Sequence, residues 1–421
     1  MTLEPAGERP EIRTDPYHIV IVTPYYWPIL CASTHLMKAL AEGLAEEGHR
    51  ITVLTNGLGS MAQSAPDEPP LRGRIHRAWN PFIQRLGVLA KCCEYTWFTF
   101  FFILRGLVVR KVDIIFVASN PPLAGFPAGL LARIKGAKLI YNLQDIFPDS
   151  AVVAGMLPAG GRAYRWLRKA EEATYRVSDL VVSISPSFSE YVQRLVPGTL
   201  VATIPNWVDT DHIRPREASE DPAIAEFRGG GAFVVQYAGN IGYMQNLEVL
   251  LLAAERLKGV PDVRFVFIGN GNAKQGMQDL ARQRGLANCV FLPLQPLDRV
   301  PSVYNACDVG IIPLKPGAAQ IAVPSKTWNY LAAGRPVIGC VEADSPLAEA
   351  IRESRSGSVV PPSDPERLAE VILEYRNAPD RARLEGRQGR DYAETHLSRR
   401  TAIQSFLAMF DRLMGRSAEG M

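Results

Sequence analysis

The chain has 421 residues, 47% of them hydrophobic and 21% charged, with 34 glycines and 32 prolines. This is globular composition, which excludes disordered and fibrous classes, and at about 150 residues per domain it predicts two or three domains. The 46 Lys and Arg against 43 Asp and Glu leave a formal charge of +3, too balanced for nucleic acid to be the main partner.

After an acidic-containing tail, residues 18–23 (HIVIVT) read as a β-branched strand. Residues 32–47 read as a helix, with Leu36, Met37, Leu40 and Leu44 on one face, and residues 51–55 (ITVLT) as the next strand. The alternation continues with strands at 112–118, 138–143 and 180–185 and helices at 123–134 and 164–177. Residues 206–230 break the pattern with Pro, Gly and polar residues, and a second series begins at 233. Its strands fall at 233–238, 263–269, 289–292, 309–313 and 336–339, with a helix at 247–257 and helical segments at 381–396 and 401–414. Strand–helix alternation with short connections predicts an α/β fold with parallel sheets. The reading is two Rossmann-like domains facing across a cleft: a tail at 1–16, a first domain at 17–205, a linker at 206–230, a second domain at 231–395 and a C-terminal helix at 396–421 that reaches back to the first.

The six cysteines, Cys31, Cys92, Cys93, Cys289, Cys307 and Cys340, make no CxxC pair, and no histidine stands at metal-ligand spacing from another. This predicts a reducing cytoplasmic compartment, no disulfide framework and no metal. The first residues lack a basic region followed by an apolar core, so no secretory signal is read there. The most apolar run, 95–104, is shorter than the roughly 20 residues a spanning helix needs.

Three segments carry chemistry. Gly239 and Gly242 stand between a strand and a helix, where exposed N–H groups suit a diphosphate; the same pattern also serves as an ordinary tight turn. Gly269 and Gly271 follow another strand but lack the third glycine of a dinucleotide fingerprint. In the block 320–337, Pro324 opens a helix and places Ser325 and Lys326 in its first turn. A cation there opposes the helix dipole, which makes sense if an anionic ligand occupies that end; the alternative is a solvated surface lysine. Asp209-Thr210-Asp211 matches a metal–diphosphate pair in form, but its place in the linker favours a turn.

These segments, with Pro24-Tyr25-Tyr26-Trp27-Pro28, Asn120-Pro121-Pro122, Gln144-Asp145-Ile146-Phe147-Pro148-Asp149 and Pro205-Asn206-Trp207-Val208-Asp209, resemble the retaining glycosyltransferases of family 4, of the GT-B fold. The branch most similar makes bacterial O-antigen, capsule or colanic-acid polysaccharide. The resemblance implies transfer of a hexose-type residue, with retention, from a nucleotide sugar to a polyprenyl-diphosphate-linked acceptor at the cytoplasmic face of the membrane. UDP is the nucleotide expected, and the nucleotide sugar is a co-substrate, with no cofactor. It implies a donor site from Gly239, Asn240, Gln245, Gly269, Gly271, Lys315, Ala322, Val323, Pro324, Ser325, Asn329 and Tyr330, with Lys326 stabilising the leaving diphosphate. Asp145 resembles the position of a catalytic or acceptor-orienting residue; a helix cap is the other reading. The chain departs from the family at Asn240 and Gln245, where an Arg and a Lys usually grip the diphosphate. Ile321 and Asn329 likewise replace two glutamates. A catalytically silent sugar-nucleotide-binding subunit and a nucleotide-sugar epimerase are therefore carried as alternatives.

Between residues 71 and 112, eight Arg and Lys stand against Glu94 alone, interleaved with large aromatics. Arg85, Lys91, Trp97 and Arg105 are read as an acceptor and membrane face, each cation near an anionic bilayer contributing about 1 kcal/mol. A buried helix with snorkelling arginines is the alternative.

Overall fold

In the computed structural model, which describes residues 15–29, 32–57, 71–81, 88–217, 219–230, 232–321 and 323–416, the β-branched runs form two parallel sheets. The first contains β1 (His18–Val22), β2 (Arg50–Asn56), β3 (Gly73–Ala78), β4 (Ile114–Ala118), β5 (Lys138–Leu143), β6 (Leu180–Ser183) and β7 (Val201–Thr203), in the order β3-β2-β1-β4-β5-β6-β7. The second contains β8 (Phe233–Ala238), β9 (Val263–Ile268), β10 (Cys289–Leu292), β11 (Val309–Pro313), β12 (Val337–Cys340) and β13 (Gly357–Val360), in the order β10-β9-β8-β11-β12-β13. Both sheets start at a central strand, grow to one side and then cross to the other. That is the doubly wound order, and it creates a switch point beside β1 and β4 and another beside β8 and β11.

Contacts in space group the described residues up to 117 with 127–140, and residues 118–126 with the described residues from 141 onward. In the first group, β1 and Ile114–Val117 are buried, as are Leu36, Leu40 and Leu44 of the helix Ala32–Glu46. The apolar run at 95–104 belongs to a longer helix, Val88–Val108, whose Phe98 and Phe102 are fully buried. In the second group, alternate residues of β8 feed two cores. Val234 and Ala238 join Trp328, Tyr330 and Leu331; Val235 and Tyr237 join Leu250, Leu251 and Ile372. Opposite faces of one strand thus carry helices on both sides, as a buried parallel sheet requires. The C-terminal helix Arg399–Leu413 is capped by Ser398 and packs Phe406 edge-on to Trp207, ring centroids 5.7 Å apart.

The predicted strands at 138–143, 233–238, 289–292 and 309–313 are present with those bounds and the others with ends shifted by one or two residues, while β3, β7 and β13 are not among the predicted strands. The helix predicted to open at Pro324 runs from Lys326 to Ala332, with Ser325 at its N-cap and Pro324 outside.

Candidate functional site

The loop 239–246 leaves the carboxyl end of β8 at the second sheet's switch point, the place where open α/β sheets bind ligands. Its glycines are there for space. Gly239 has φ +140°, and a Cβ on it would stand 3.1 Å from Lys326 Nζ. Gly269, at φ +145°, lies so close to the loop that a Cβ would meet the Gly239 carbonyl at 1.9 Å. A Cβ on Gly271 would meet the Ile241 carbonyl at 2.2 Å. The two predicted glycine pairs are therefore one packed pair of loops. The N–H groups of Gly239 and Ile241 donate to Ile268 and Asn270. Those of Asn240 and Gly242 donate to no protein acceptor among the described residues.

Lys326 stands over these loops. It is half-buried, its ammonium donates to the Tyr237 hydroxyl and lies 4.1 Å from that ring's centroid. It makes no ion pair among the described residues. Burial pulls its pKa from the usual lysine value down to about 7. A cation desolvated against an aromatic face, without a carboxylate, retains its affinity for an incoming anion. The Tyr237 hydroxyl in turn donates a hydrogen bond to the Asn240 carbonyl and so joins lysine to loop. Its part is invisible in sequence, where it reads only as a core position of a strand.

The remaining predicted donor residues divide. Val323, Pro324 and Ser325 are partly exposed beside Lys326; Ala322 lies outside the described residues. Lys315 is tethered through its N–H to the Met244 carbonyl, which brings the end of β11 to the glycine loop. Gln245 turns its side-chain oxygen toward Gly242, where a Cβ would stand 3.0 Å from it, and that oxygen has no hydrogen-bond partner. Asn329 lies beside the buried Tyr304 and is partly exposed. Tyr330 is fully buried: its hydroxyl receives the Ala238 N–H at 3.0 Å and faces the Gln236 carbonyl at 3.2 Å. Its side chain therefore locks the helix Lys326–Ala332 onto β8 and is not presented to a ligand. Lys274, unforeseen in the sequence, donates to the carbonyls of Gly269 and Leu292 and closes the neighbouring strand ends.

Asp145 follows β5. The helix that begins four residues later, Asp149–Val153, has Pro148 at its N-cap, so Asp145 does not cap it. Its side chain is exposed at its surface yet crowded by protein, which pushes its pKa above the usual carboxylate range. It has no hydrogen-bond partner among the described residues. Beside it, Gln144 accepts from Asn206 at 2.8 Å and receives support from Ser119, joining two of the motifs. Asp149 is occupied, accepting from Tyr164, Tyr191 and Arg168.

Of the predicted membrane-facing residues, Arg85 lies outside the described residues. Lys91 pairs with the buried Glu94 at 2.7 Å and reaches Tyr25. Trp97 is exposed and donates to the Trp79 carbonyl, and Arg105 is exposed beside His76. Asp209 accepts from the N–H groups of Asp211 and His212, which makes the Asp209-Thr210-Asp211 triplet a turn. Among the described residues no cluster of His, Cys, Asp or Glu could hold a metal, and no helix is long and apolar enough to cross a membrane.

Residues 34–207 match the model of the glycosyl transferase 4-like domain, and residues 222–391 that of glycosyl transferases group 1. A Pseudomonas aeruginosa protein named as the glycosyltransferase WbjE is 30% identical over 267 residues, 63% of this chain and 66% of its own length. The Escherichia coli protein WcaI, named for colanic acid biosynthesis, is 28% identical over 66% of this chain and 69% of its own length. These matches thus span about two thirds of the relatives' lengths. Among solved structures, HepE of Anabaena in complex with UDP-glucose superposes with a TM-score of 0.70 at 15% identity, over 94% of this chain and 99% of that one.

Proposed function

We propose, for a chain that belongs to the glycosyltransferases of the GT-B fold, that it moves a sugar from a UDP-linked donor to a lipid-linked acceptor in cell-surface polysaccharide biosynthesis, with retention. Lys326 carries this reading. An ammonium desolvated against Tyr237, without an ion pair, beside the free N–H groups of Asn240 and Gly242, is a seat for a diphosphate. The relative WcaI, by its name, supports polysaccharide assembly, and HepE, by its ligand, supports a UDP sugar.

In this reading the bond from the anomeric carbon to the diphosphate breaks while the acceptor oxygen bonds to the same face of that carbon. The acceptor's proton passes to the departing diphosphate. Lys326 and the two N–H groups stabilise the charge that gathers there, and Asp145 orients the acceptor hydroxyl. The free amide capacity of Asn329 serves the ribose. The exposed Trp97 and Arg105 face the membrane that carries the acceptor, so the protein works at the inner surface of the membrane.

The test is nucleoside diphosphate release from a panel of nucleotide sugars, with and without bacterial lipid extract. UDP release that needs the lipid supports the reading, and release of GDP or lipid-independent release contradicts it. A second reading is supported by Asn240 and Gln245, which bring no positive charge to the loop. It makes the chain a sugar-nucleotide-binding subunit without turnover, and UDP-glucose binding with silence across the panel would favour it.

A further inference from the structure

The amino ends of β1, β2 and β3 meet a cavity of about 200 Å³ that the catalytic reading does not use. Its walls carry Arg50, Arg74, Arg105, Arg110, His18 and His76, and no carboxylate lines it. The register explains the convergence. His18 pairs with Arg50 and Thr52 with Arg74, and positions two apart in a strand share a face, so His18, Arg50, Thr52, Arg74 and His76 project together. The end of the helix Val88–Val108 adds Arg105, whose guanidinium lies 3.2 Å from His76 Nδ1. His18 is held by the carbonyls of Arg110 and Lys111 and by Thr52.

None of the four arginines makes an ion pair among the described residues. Asp113, which acts on His18 but does not line the cavity, accepts the His18 N–H at 2.7 Å. Burial and the adjacent arginines hold both histidines below the usual imidazole range: Arg50 acts on His18, and Arg105 and Arg74 act on His76. Two of the carbonyls around the helix end, those of Leu107 and Val109, are bound by Lys135. Four guanidiniums gathered without acids repel one another, and their forked donors match phosphate oxygens.

The surroundings identify the source of that phosphate. Val108, 65% exposed, lines the cavity, and Leu104, 50% exposed, stands one turn before it on the same helix. Ile134, 70% exposed, lies on the neighbouring helix Gly125–Lys135, which packs against the first where Leu131 covers Gly106. Exposed aliphatic side chains bordering a cationic cavity suit a headgroup whose acyl chains lie alongside.

We propose that this cavity binds the phosphate of an anionic lipid headgroup, apart from the donor site and at the opposite end of the strands from the carboxyl ends where such sheets bind substrate. It rests on the reading of a membrane-facing first domain and gives that reading a specific site. The experiment is vesicle sedimentation of the full chain with phosphatidylcholine containing phosphatidic acid, and with phosphatidylglycerol at matched surface charge. The Arg74→Gln/Arg110→Gln variant is compared with a charge-matched Arg282→Gln/Arg383→Gln control. The expected result is tighter binding to phosphatidic acid vesicles than to phosphatidylglycerol, reduced at least tenfold in the first variant and little in the control. UDP-glucose affinity stays at the wild-type value in both, and the melting temperature does not fall in the cavity variant. Equal loss in the two variants would leave general membrane attraction standing and overturn the site. Inorganic phosphate binding that needs the arginines, without vesicle binding, would assign the cavity to a free anion and overturn the lipid assignment.

Discussion

The Lys326 ammonium has lost hydration without gaining a carboxylate, and its pKa falls to about 7. A bound diphosphate would favour the charged form and raise that value again. UDP-glucose has no group that titrates in this range, so its dissociation constant should be flat below about pH 7. It should rise by up to tenfold per unit above that, as the free protein loses the proton that binding must restore. Titration calorimetry from about pH 6 to 9 checks this; a flat profile removes Lys326 from the diphosphate. Asp145 is a second residue-scale case. With no partner of its own, Asp145→Asn should leave UDP-glucose binding intact and lower turnover about 100-fold, within the range for one positioned acid–base or orienting group. Gly269 is structural: at φ +145° and against the Gly239 carbonyl, Gly269→Ala should lose at least about 1–3 kcal/mol, seen in chemical denaturation. Lys326 could be singled out from sequence because a lysine at a helix start conflicts with the dipole. Tyr237 could not, because strand alternation says that it is buried without saying what it touches.

Among the elements, the helix Lys326–Ala332 does most to place the site. Tyr330 ties it to β8 through the Ala238 N–H and packs edge-on to Tyr304, while Gly310 leaves room for its ring. Tyr330→Phe removes the acceptor of a buried N–H, a loss of about 1–3 kcal/mol, and should weaken UDP-glucose binding by loosening the helix that carries Lys326. Unchanged stability and affinity would show that the bond does not position the helix. The elements legible in sequence are those with continuous β-branched runs, such as β1, β4, β8 and β11, whose two-sided burial leaves an apolar signature. β3 is illegible because it is an edge strand. Arg74, His76 and Arg77 within six residues blunt its free edge, and they merge with the surrounding basic residues. The same charge hides the arginine cavity, since Arg50, Arg74, Arg105 and Arg110 come from separate elements that only the register and a helix end assemble.

At the scale of the molecule, the two sheets repeat one winding order, and each carries its own family model match. The sequence predicts this duplication well, because each half repeats the same strand–helix rhythm. The sequence also assigns Lys326 to the place of the missing loop cations; what it does not predict is the Tyr237 ring that holds this ammonium beside Gly239. Asn240 and Gln245 bring no cation, and Lys326, 86 residues beyond Asn240 in the chain, places its ammonium beside Gly239. The most direct measurement is therefore lipid-dependent UDP release and UDP-glucose affinity, compared between wild type, Lys326→Arg and Lys326→Ala, each shown to be folded by circular dichroism. The account predicts that Lys326→Ala loses about 100-fold or more in turnover and binds UDP-glucose at least tenfold more weakly, with Lys326→Arg recovering part of the affinity. Near-normal release and affinity in Lys326→Ala would contradict it.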